Sequence, residues 1–228
     1  MVLIRPVITF HPISQSVAAG GSVTLSASAE GNPWPLVFRW RRNSGTFTNL
    51  VVHGTDAFLT LTNFQATVVT NQFHFTVAVT NFAGSSSLSS NAIITVLADT
   101  DGDRLPDEWE LTNGFDPMNP SDALEDEDDD GVSNLQEHLA GTDPRNSASQ
   151  LRIEHFRVSG SSAFGLGFLA GSNRTYSLQA REHFGPDQIW RSIREVVAAP
   201  TNRIVEVIED FDGSNQWRFF RVTTPRVD

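Results

Sequence analysis

The residues best suited to chemistry are carboxylates that alternate along the middle of the chain. Asp126, Asp128 and Asp130 are followed by Gly131, and Glu137 completes the run. This order matches D-x-D-x-D-G-x5-E, the pattern of a loop that surrounds Ca²⁺ with oxygen atoms. Such a loop takes ligands from positions 1, 3, 5, 7, 9 and 12, where position 7 offers its backbone carbonyl and the final glutamate binds through both oxygens. Residues 126–137, the second loop, are therefore predicted to bind Ca²⁺.

A similar run of carboxylates begins at Asp99 and ends at Glu110, so the repeat distance is 126 − 99 = 27 residues. In this first loop, residues 99–110, Arg104 stands where the second loop has its glycine. A side chain held at positive φ costs about 1–2 kcal/mol. We therefore expect either that Gly102 takes up the turn or that the first site is weaker. The predicted metal ligands are Asp99, Asp101, Asp103, Leu105, Asp107 and Glu110 in the first loop, and Asp126, Asp128, Asp130, Val132, Asn134 and Glu137 in the second, with Leu105 and Val132 acting through their carbonyls.

A short helix is predicted after each loop. Pro106 and Ser133 are typical of a first helical turn, and Gly114 and Gly141 are typical of the residue just past a helix end. No helix signal precedes either loop, so the units are loop-helix rather than helix-loop-helix. Two sites for Ca²⁺ are expected.

The charge distribution agrees with a metal requirement. The chain has 16 basic and 27 acidic residues and a net charge of −11. Residues 99–143 hold 16 acidic residues against one basic residue, which gives −15 and leaves +4 for the remainder. Clusters of charge are more often solvated runs, but here the carboxylates recur in register with glycines and apolar residues. Carboxylates crowded in this way repel one another, so metal binding is expected to drive folding of these loops.

Composition excludes several other classes of function. The chain contains no cysteine, and all its basic residues are arginine, so disulfides, thiolate zinc sites, cysteine nucleophiles and lysine Schiff bases are impossible. Such an acidic chain is a poor partner for nucleic acid, and no apolar run is long enough for membrane insertion. Arg5 and Pro6 interrupt the apolar start, so we expect any export signal to lie outside this sequence.

The N-terminal part has the pattern of an all-β sandwich. Short alternating runs recur between turn residues from Pro6 to Leu97, as sandwich strands do. One predicted strand runs over residues 36–42, where Leu36, Phe38 and Trp40 share a face. The other predicted strands lie within residues 22–29, 58–61, 73–79 and 92–96.

The order of these features resembles a bacterial immunoglobulin-like domain. The likeness depends on Ala27, on Trp40 and on the run from Phe75 through Val77 to Gly84. In that family, the positions of Ala27 and Val77 often carry bridging cysteines, and the position of Phe75 often carries a tyrosine. The resemblance therefore implies a sandwich held by burial alone, acting as a spacer or binding scaffold.

The duplicated loops resemble the calcium-binding repeats of thrombospondin type 3. The likeness includes the helix segments at residues 108–110 (Glu-Trp-Glu) and 135–137 (Leu-Gln-Glu). It also includes the Asp-Pro pair that begins two residues after Gly114 and after Gly141. It implies structural calcium in a secreted or cell-surface protein. The tandem arrangement also resembles the dockerin modules, which implies calcium-dependent protein docking, although no paired recognition residues are found.

The C-terminal part alternates again and predicts a second, small sandwich, similar in layout to fibronectin type III. The predicted strands are residues 151–158, 164–169, 176–180, 190–196, 204–208 and 217–222. Tyr176, Trp190, Trp217 and Phe220 offer a platform for sugar stacking, although such aromatics are more often core.

The predicted fold class is mostly β, with two β-sandwich modules joined by a tandem calcium-binding connector. The modules are residues 1–98, 99–148 and 149–228. The predicted function is a non-catalytic, calcium-binding segment of a larger extracellular or cell-surface protein, used in adhesion, display or spacing, where Ca²⁺ makes the connector rigid. The alternatives are a glycan-binding accessory module of a polysaccharide-degrading enzyme and a dockerin-like module with a protein partner.

Overall fold

The structure is a computed structural model that describes residues 3–67, 70–86, 88–159, 163–181, 189–210 and 219–224. The chain divides into two compact units, Met1–Pro120 and Ser121–Asp228. Each unit contains one β-sandwich and one of the two acidic loops. The predicted three-module division stays a prediction. Among the described residues, no helix has the length and apolar character needed to cross a membrane.

The N-terminal unit contains two facing sheets. Its strands are β1 (Ile4–Phe10), β2 (Gln15–Ala18), β3 (Val23–Asn32), β4 (Leu36–Arg42), β5 (Gly45–Val52), β6 (Asp56–Leu61), β7 (Gln72–Asn81), β8 (Gly84–Ser85) and β9 (Ala92–Leu97). One sheet has the order β1-β3-β6, and the other has the order β2-β9-β7-β4-β5, with β8 paired to β7. Only the β2–β9 pair is parallel among these described pairings.

The core of this sandwich is formed by the inward face of each alternating strand. Trp40, Phe38 and Phe75 are fully buried within it. Ala27 and Val77 are also fully buried. The expectation of a sandwich held by burial at these positions is therefore confirmed.

The first loop leaves β9 directly and leads into α1 (Asp107–Asn113). The amide of Asp107 donates a 3.0 Å hydrogen bond to the carbonyl of Ala98, which is the residue just past β9. Trp109 and Phe115 stack across the helix end, with ring centroids 5.6 Å apart. Gly114 ends the helix at φ 75°, as predicted.

The C-terminal unit begins with a short 3₁₀ helix (Asp122–Leu124), and the second loop then leads into α2 (Asn134–Ala140). Its strands are β10 (Ile153–Ser159), β11 (Ala163–Ala170), β12 (Tyr176–Arg181), β13 (Arg191–Val196), β14 (Arg203–Asp210) and β15 (Phe219–Thr223). They form two antiparallel sheets with the orders β10-β11-β14 and β13-β12-β15. Phe164, Phe168, Tyr176 and Leu178 are fully buried between them.

The prediction of a mostly β chain built from sandwich modules is confirmed. The likeness of the C-terminal sandwich to fibronectin type III stays a prediction.

Candidate metal centres

The second loop gathers its first three carboxylates around one point. Asp126, Asp128 and Asp130 each offer an oxygen within 4.8 Å of the others. The loop backbone is wound around Asp126, whose two oxygens accept hydrogen bonds from the amides of Asp130 (3.1 Å) and Gly131 (2.7 Å). Asp130 accepts a further bond of 2.8 Å from the amide of Val132. These bonds hold the carboxylates of Asp126 and Asp130 in place within the loop.

The first loop has the same internal bonds. Asp99, Asp101 and Asp103 again offer oxygens within 4.8 Å of one another. The amides of Gly102 (2.8 Å) and Arg104 (3.0 Å) donate to the two oxygens of Asp99. The two loops are therefore repeats in their local structure as well as in their sequence.

Both loops adopt positive φ at the fourth and sixth positions. These residues are Gly102 (84°) and Arg104 (80°) in the first loop, and Asp129 (59°) and Gly131 (89°) in the second. Gly102 therefore does not take up the turn in place of Arg104, because Arg104 adopts the left-handed conformation itself. Each loop contains one glycine and one strained side chain, although aspartate tolerates this conformation better than arginine. Whether the first site is the weaker one stays a prediction.

The last predicted ligand of each loop lies on the helix that follows and is buried. Glu110 is fully buried, and one of its oxygens lies within 4.8 Å of an oxygen of Asp103. Glu137 is 1% exposed, and neither of its oxygens makes a hydrogen bond of ordinary geometry to a described residue. A buried carboxylate without a partner is costly. A cation at this point would remove that cost, so the donor set fits a metal ion.

The charge state of Glu137 reflects this environment. Burial raises the pKa of Glu137 to about 7, and the neighbouring carboxylates of Asp128, Asp130 and Asp143 add to the rise. The hydroxyl of Thr142 lowers the pKa and offsets only part of the effect. Desolvation and the charge of Asp130 likewise raise the pKa of Asp128. A divalent cation would reverse these effects, because it favours the ionised form.

The predicted ninth-position ligands have different surroundings. Both oxygens of Asp107 accept 2.7 Å hydrogen bonds from Thr100, one from its amide and one from its hydroxyl. Asn134 is fully buried and donates through Nδ2 to the carbonyl of Asp122 at 2.8 Å. Its Oδ1 has no hydrogen-bond partner among the described residues and is available to coordinate a cation. Ligation by Asp107, by Asn134 and by the carbonyls of Leu105 and Val132 stays a prediction.

The two helices begin differently. Ser133 caps α2, accepting a bond from the amide of Gln136, and the side chain of Gln136 bonds back to the amide of Ser133. This arrangement is a capping box. Pro106 caps α1 and makes no side-chain bond.

Sequence reasoning missed two residues that contact the second unit's helix. Arg174 and Tyr176 bond the last carbonyls of α2. They lie far from the loop in sequence, and no local motif marks them.

The predicted sugar platform does not include Tyr176, because this side chain is fully buried and its ring contacts Phe168 edge-on at 5.4 Å. Phe220 packs against Phe164 at 4.5 Å. Trp190 contacts the guanidinium groups of Arg181 at 4.6 Å and Arg221 at 4.5 Å. Trp217 lies outside the described residues.

An immunoglobulin domain family matches residues 5–81, which is less than half of the chain. This match covers the strands from β1 to β7 and agrees with their two-sheet arrangement. Residues 5–81 form an immunoglobulin-like domain.

Several solved structures of immunoglobulin domains are similar to part of this chain. A chimeric titin Z1Z2 is 23% identical and has a TM-score of 0.34, with 43% of this chain and 99% of that chain covered. A complex of titin M10 with obscurin-like 1 Ig is 22% identical with a TM-score of 0.35, covering 42% and 96%. The N-terminal Ig1-2 module of the Drosophila receptor protein tyrosine phosphatase DLAR is 20% identical with a TM-score of 0.36, covering 42% and 50%. A search of curated proteins found no match.

Proposed function

We propose that this chain is a calcium-binding segment of a larger secreted or cell-surface protein, and that one Ca²⁺ in each acidic loop fixes the local structure. The observation that carries the proposal is Glu137, a 1% exposed carboxylate on the helix beside the second loop, with no hydrogen bond of ordinary geometry to a described residue. Three further carboxylates converge in the same loop. A cation among these carboxylates would balance their charge and the buried charge of Glu137.

The donor set favours Ca²⁺ over other metals. All the predicted ligands are oxygens, which suit hard cations rather than zinc or copper. Ca²⁺ accepts six to eight oxygens in flexible geometry, whereas Mg²⁺ needs a near-ideal octahedron and keeps several waters. The loops resemble those of thrombospondin type 3 repeats in this respect, and an affinity on the order of 10⁻⁴ to 10⁻³ M is expected for an extracellular module.

The ion has a structural role in this proposal, and the segment serves adhesion, display or spacing without catalysis. The immunoglobulin-like domain supports such a role, because sandwiches of this kind commonly act as scaffolds. Fold alone assigns no partner.

The test is calorimetric titration of the whole chain with Ca²⁺, and with Mg²⁺ in a parallel run. Two Ca²⁺ per chain are expected, with Glu137→Gln removing one site and Glu110→Gln the other. Glu127→Gln is the matched control, because Glu127 lies in the second loop but is not a predicted ligand and pairs with the exposed Arg145 at 2.8 Å. A titration without saturable heat, or a stoichiometry unchanged by both glutamate variants, would contradict the proposal.

A further inference from the structure

The end of α2 is held by the side chains of the C-terminal sandwich. Arg174 donates from Nε to the carbonyl of Leu139 at 2.9 Å and from a terminal nitrogen to the carbonyl of His138 at 2.6 Å. The hydroxyl of Tyr176 donates to the carbonyl of Ala140 at 3.1 Å. These are the last three residues of the helix, and they follow Glu137 directly in the chain.

The contact is close because Gly141 permits it. Gly141 ends the helix at φ 77°, and a Cβ at this position would lie 2.8 Å from the central carbon of the Arg174 guanidinium. A cation beside the carbonyl end of a helix also interacts favourably with the helix dipole. Any larger residue at position 141 would displace Arg174.

Tyr176 connects this contact to the sandwich core. Its ring is fully buried and packs against Phe168, and its hydroxyl accepts a 2.7 Å bond from the amide of Gly171. Burial raises the pKa of Tyr176, so the hydroxyl keeps its proton and continues to donate to Ala140 at neutral pH. The core, β12 and the helix end therefore form one continuous set of contacts.

We propose that Arg174 and Tyr176 are positioning residues for the second calcium loop, and that Ca²⁺ binding at this loop and order in the C-terminal sandwich stabilise each other. The inference rests on the proposed function. Ca²⁺ fixes Glu137, the helix transmits its position to the next three carbonyls, and Arg174 and Tyr176 hold those carbonyls against β12. Thermodynamic linkage requires the effect to be equal in both directions.

The chain offers a single reporter of this coupling, because Tyr176 is its only tyrosine. Protein labelled with 3-fluorotyrosine therefore gives one ¹⁹F resonance from this side chain. We expect Ca²⁺ to shift the resonance, with the same midpoint as the second site in calorimetry. Glu137→Gln should abolish the shift, and Glu110→Gln, which alters the last predicted ligand of the first loop, should leave it intact.

The reverse direction is tested by Ca²⁺ affinity. Arg174→Gln should weaken binding at the second loop about 10-fold, at the lower end of the range for contacts that orient metal ligands, and should leave the first loop unchanged. Arg194→Gln is the control, because Arg194 lies in the same unit and donates a 3.1 Å bond to Glu209 on β14, with no described bond to α2. Arg174→Lys, which keeps the charge, should have an intermediate effect and guards against loss of folding in the glutamine variant.

The outcomes separate the two proposals. If calorimetry shows Ca²⁺ at the second loop but the ¹⁹F resonance does not move and both Arg174 variants bind like the wild type, the coupling is wrong and the proposed function stands. If no Ca²⁺ binds at the second loop, both proposals fail. A midpoint shared by the resonance and the second site, lost in Glu137→Gln, supports the coupling.

Discussion

The two acidic loops have nearly the same internal structure, and both are closed at the base by the same bond. In each, the amide at the ninth position bonds the carbonyl of the residue just before the loop, Asp107 to Ala98 at 3.0 Å and Asn134 to Glu125 at 2.8 Å. In the second loop, Arg174 and Tyr176 of the C-terminal sandwich also bond the carbonyls that follow Glu137. The comparison shows that a repeated loop can keep its own bonds and gain further contacts with its sandwich, and that these added contacts decide which strands an ion in the loop would stabilise.

The largest effect that separates the two loops is expected on calcium removal. A ligand at 100 times its dissociation constant stabilises the state that binds it by about 2.7 kcal/mol. Hydrogen exchange with mass spectrometry should show that EDTA speeds amide exchange strongly in β12, which Tyr176 links to α2, and less in β7, which makes no such contact with α1. Equal changes in both strands would remove the distinction between the two attachments.

The next effect is the dependence of stability on pH without calcium. The pKa of Glu137 is raised from 4.5 to about 7 in the folded chain, so folding favours the protonated form. The resulting stability is fully present below pH 4.5 and is lost as the pH rises through 7. Calcium-free protein should therefore resist urea better at pH 5 than at pH 8 in the C-terminal unit, as followed by the ¹⁹F resonance of Tyr176.

Excess Ca²⁺ should reverse this trend, because protons compete with the ion for Glu137. The control for the pH experiment is Glu137→Gln, which has no titratable group at this position and should flatten the slope between pH 4.5 and 7. A slope that persists in this variant would place its origin elsewhere.

A smaller effect on stability is expected from substitutions at the fourth and sixth positions of the two loops, where φ is positive. Gly102→Ala and Gly131→Ala should each destabilise their loop by about 1–2 kcal/mol, because both residues have positive φ and alanine is strained there. Arg104→Gly should stabilise the first loop, and Asp129→Gly should have less effect because aspartate tolerates this conformation. Thermal unfolding in saturating Ca²⁺ measures the changes without the altered repulsion among carboxylates. A gain from Asp129→Gly larger than that from Arg104→Gly would contradict this order.

The smallest effect concerns the helix caps. Ser133→Ala should destabilise α2 by about 1 kcal/mol, the usual loss for a serine cap. Pro106→Ala is the matched change in the first loop and should cost less, since Pro106 makes no side-chain bond to its helix. Helical circular dichroism and thermal unfolding would measure both, and equal losses would show that the capping box adds no stability.

Short-range patterns in the sequence were sufficient to predict most strands of the first sandwich, both acidic loops and both helix ends. Alternation of apolar residues located β4 at its observed bounds and located β3, β6, β7 and β9 to within a few residues. It missed β2 and β8, which are only four and two residues long, and β1 and β5, most of whose residues are half-exposed or exposed. The spacing of carboxylates located both loops, and the glycines located both helix ends, because these features depend on residues only a few positions apart.

The remaining features depend on tertiary contacts or on a choice between local alternatives. Arg174 has no motif, and the α2 carbonyls that it bonds lie 35 and 36 positions away in the sequence. From the sequence alone, Tyr176 was consistent with either a surface platform for sugars or a core position. Its full burial in the structure places it in the core. The left-handed conformation of Asp129 was not predicted, because one aspartate within an unbroken run of six acidic residues gives no signal of its backbone angle.

The exchanged glycines also affect how related loops are recognised in other proteins. The first loop has its glycine at the fourth position and the second has it at the sixth, yet the two backbones turn in the same way. A search pattern that requires glycine at the sixth position would therefore find only half of this duplication. A pattern that accepts glycine at either position, together with the spaced carboxylates and a glutamate on the following helix, would find both.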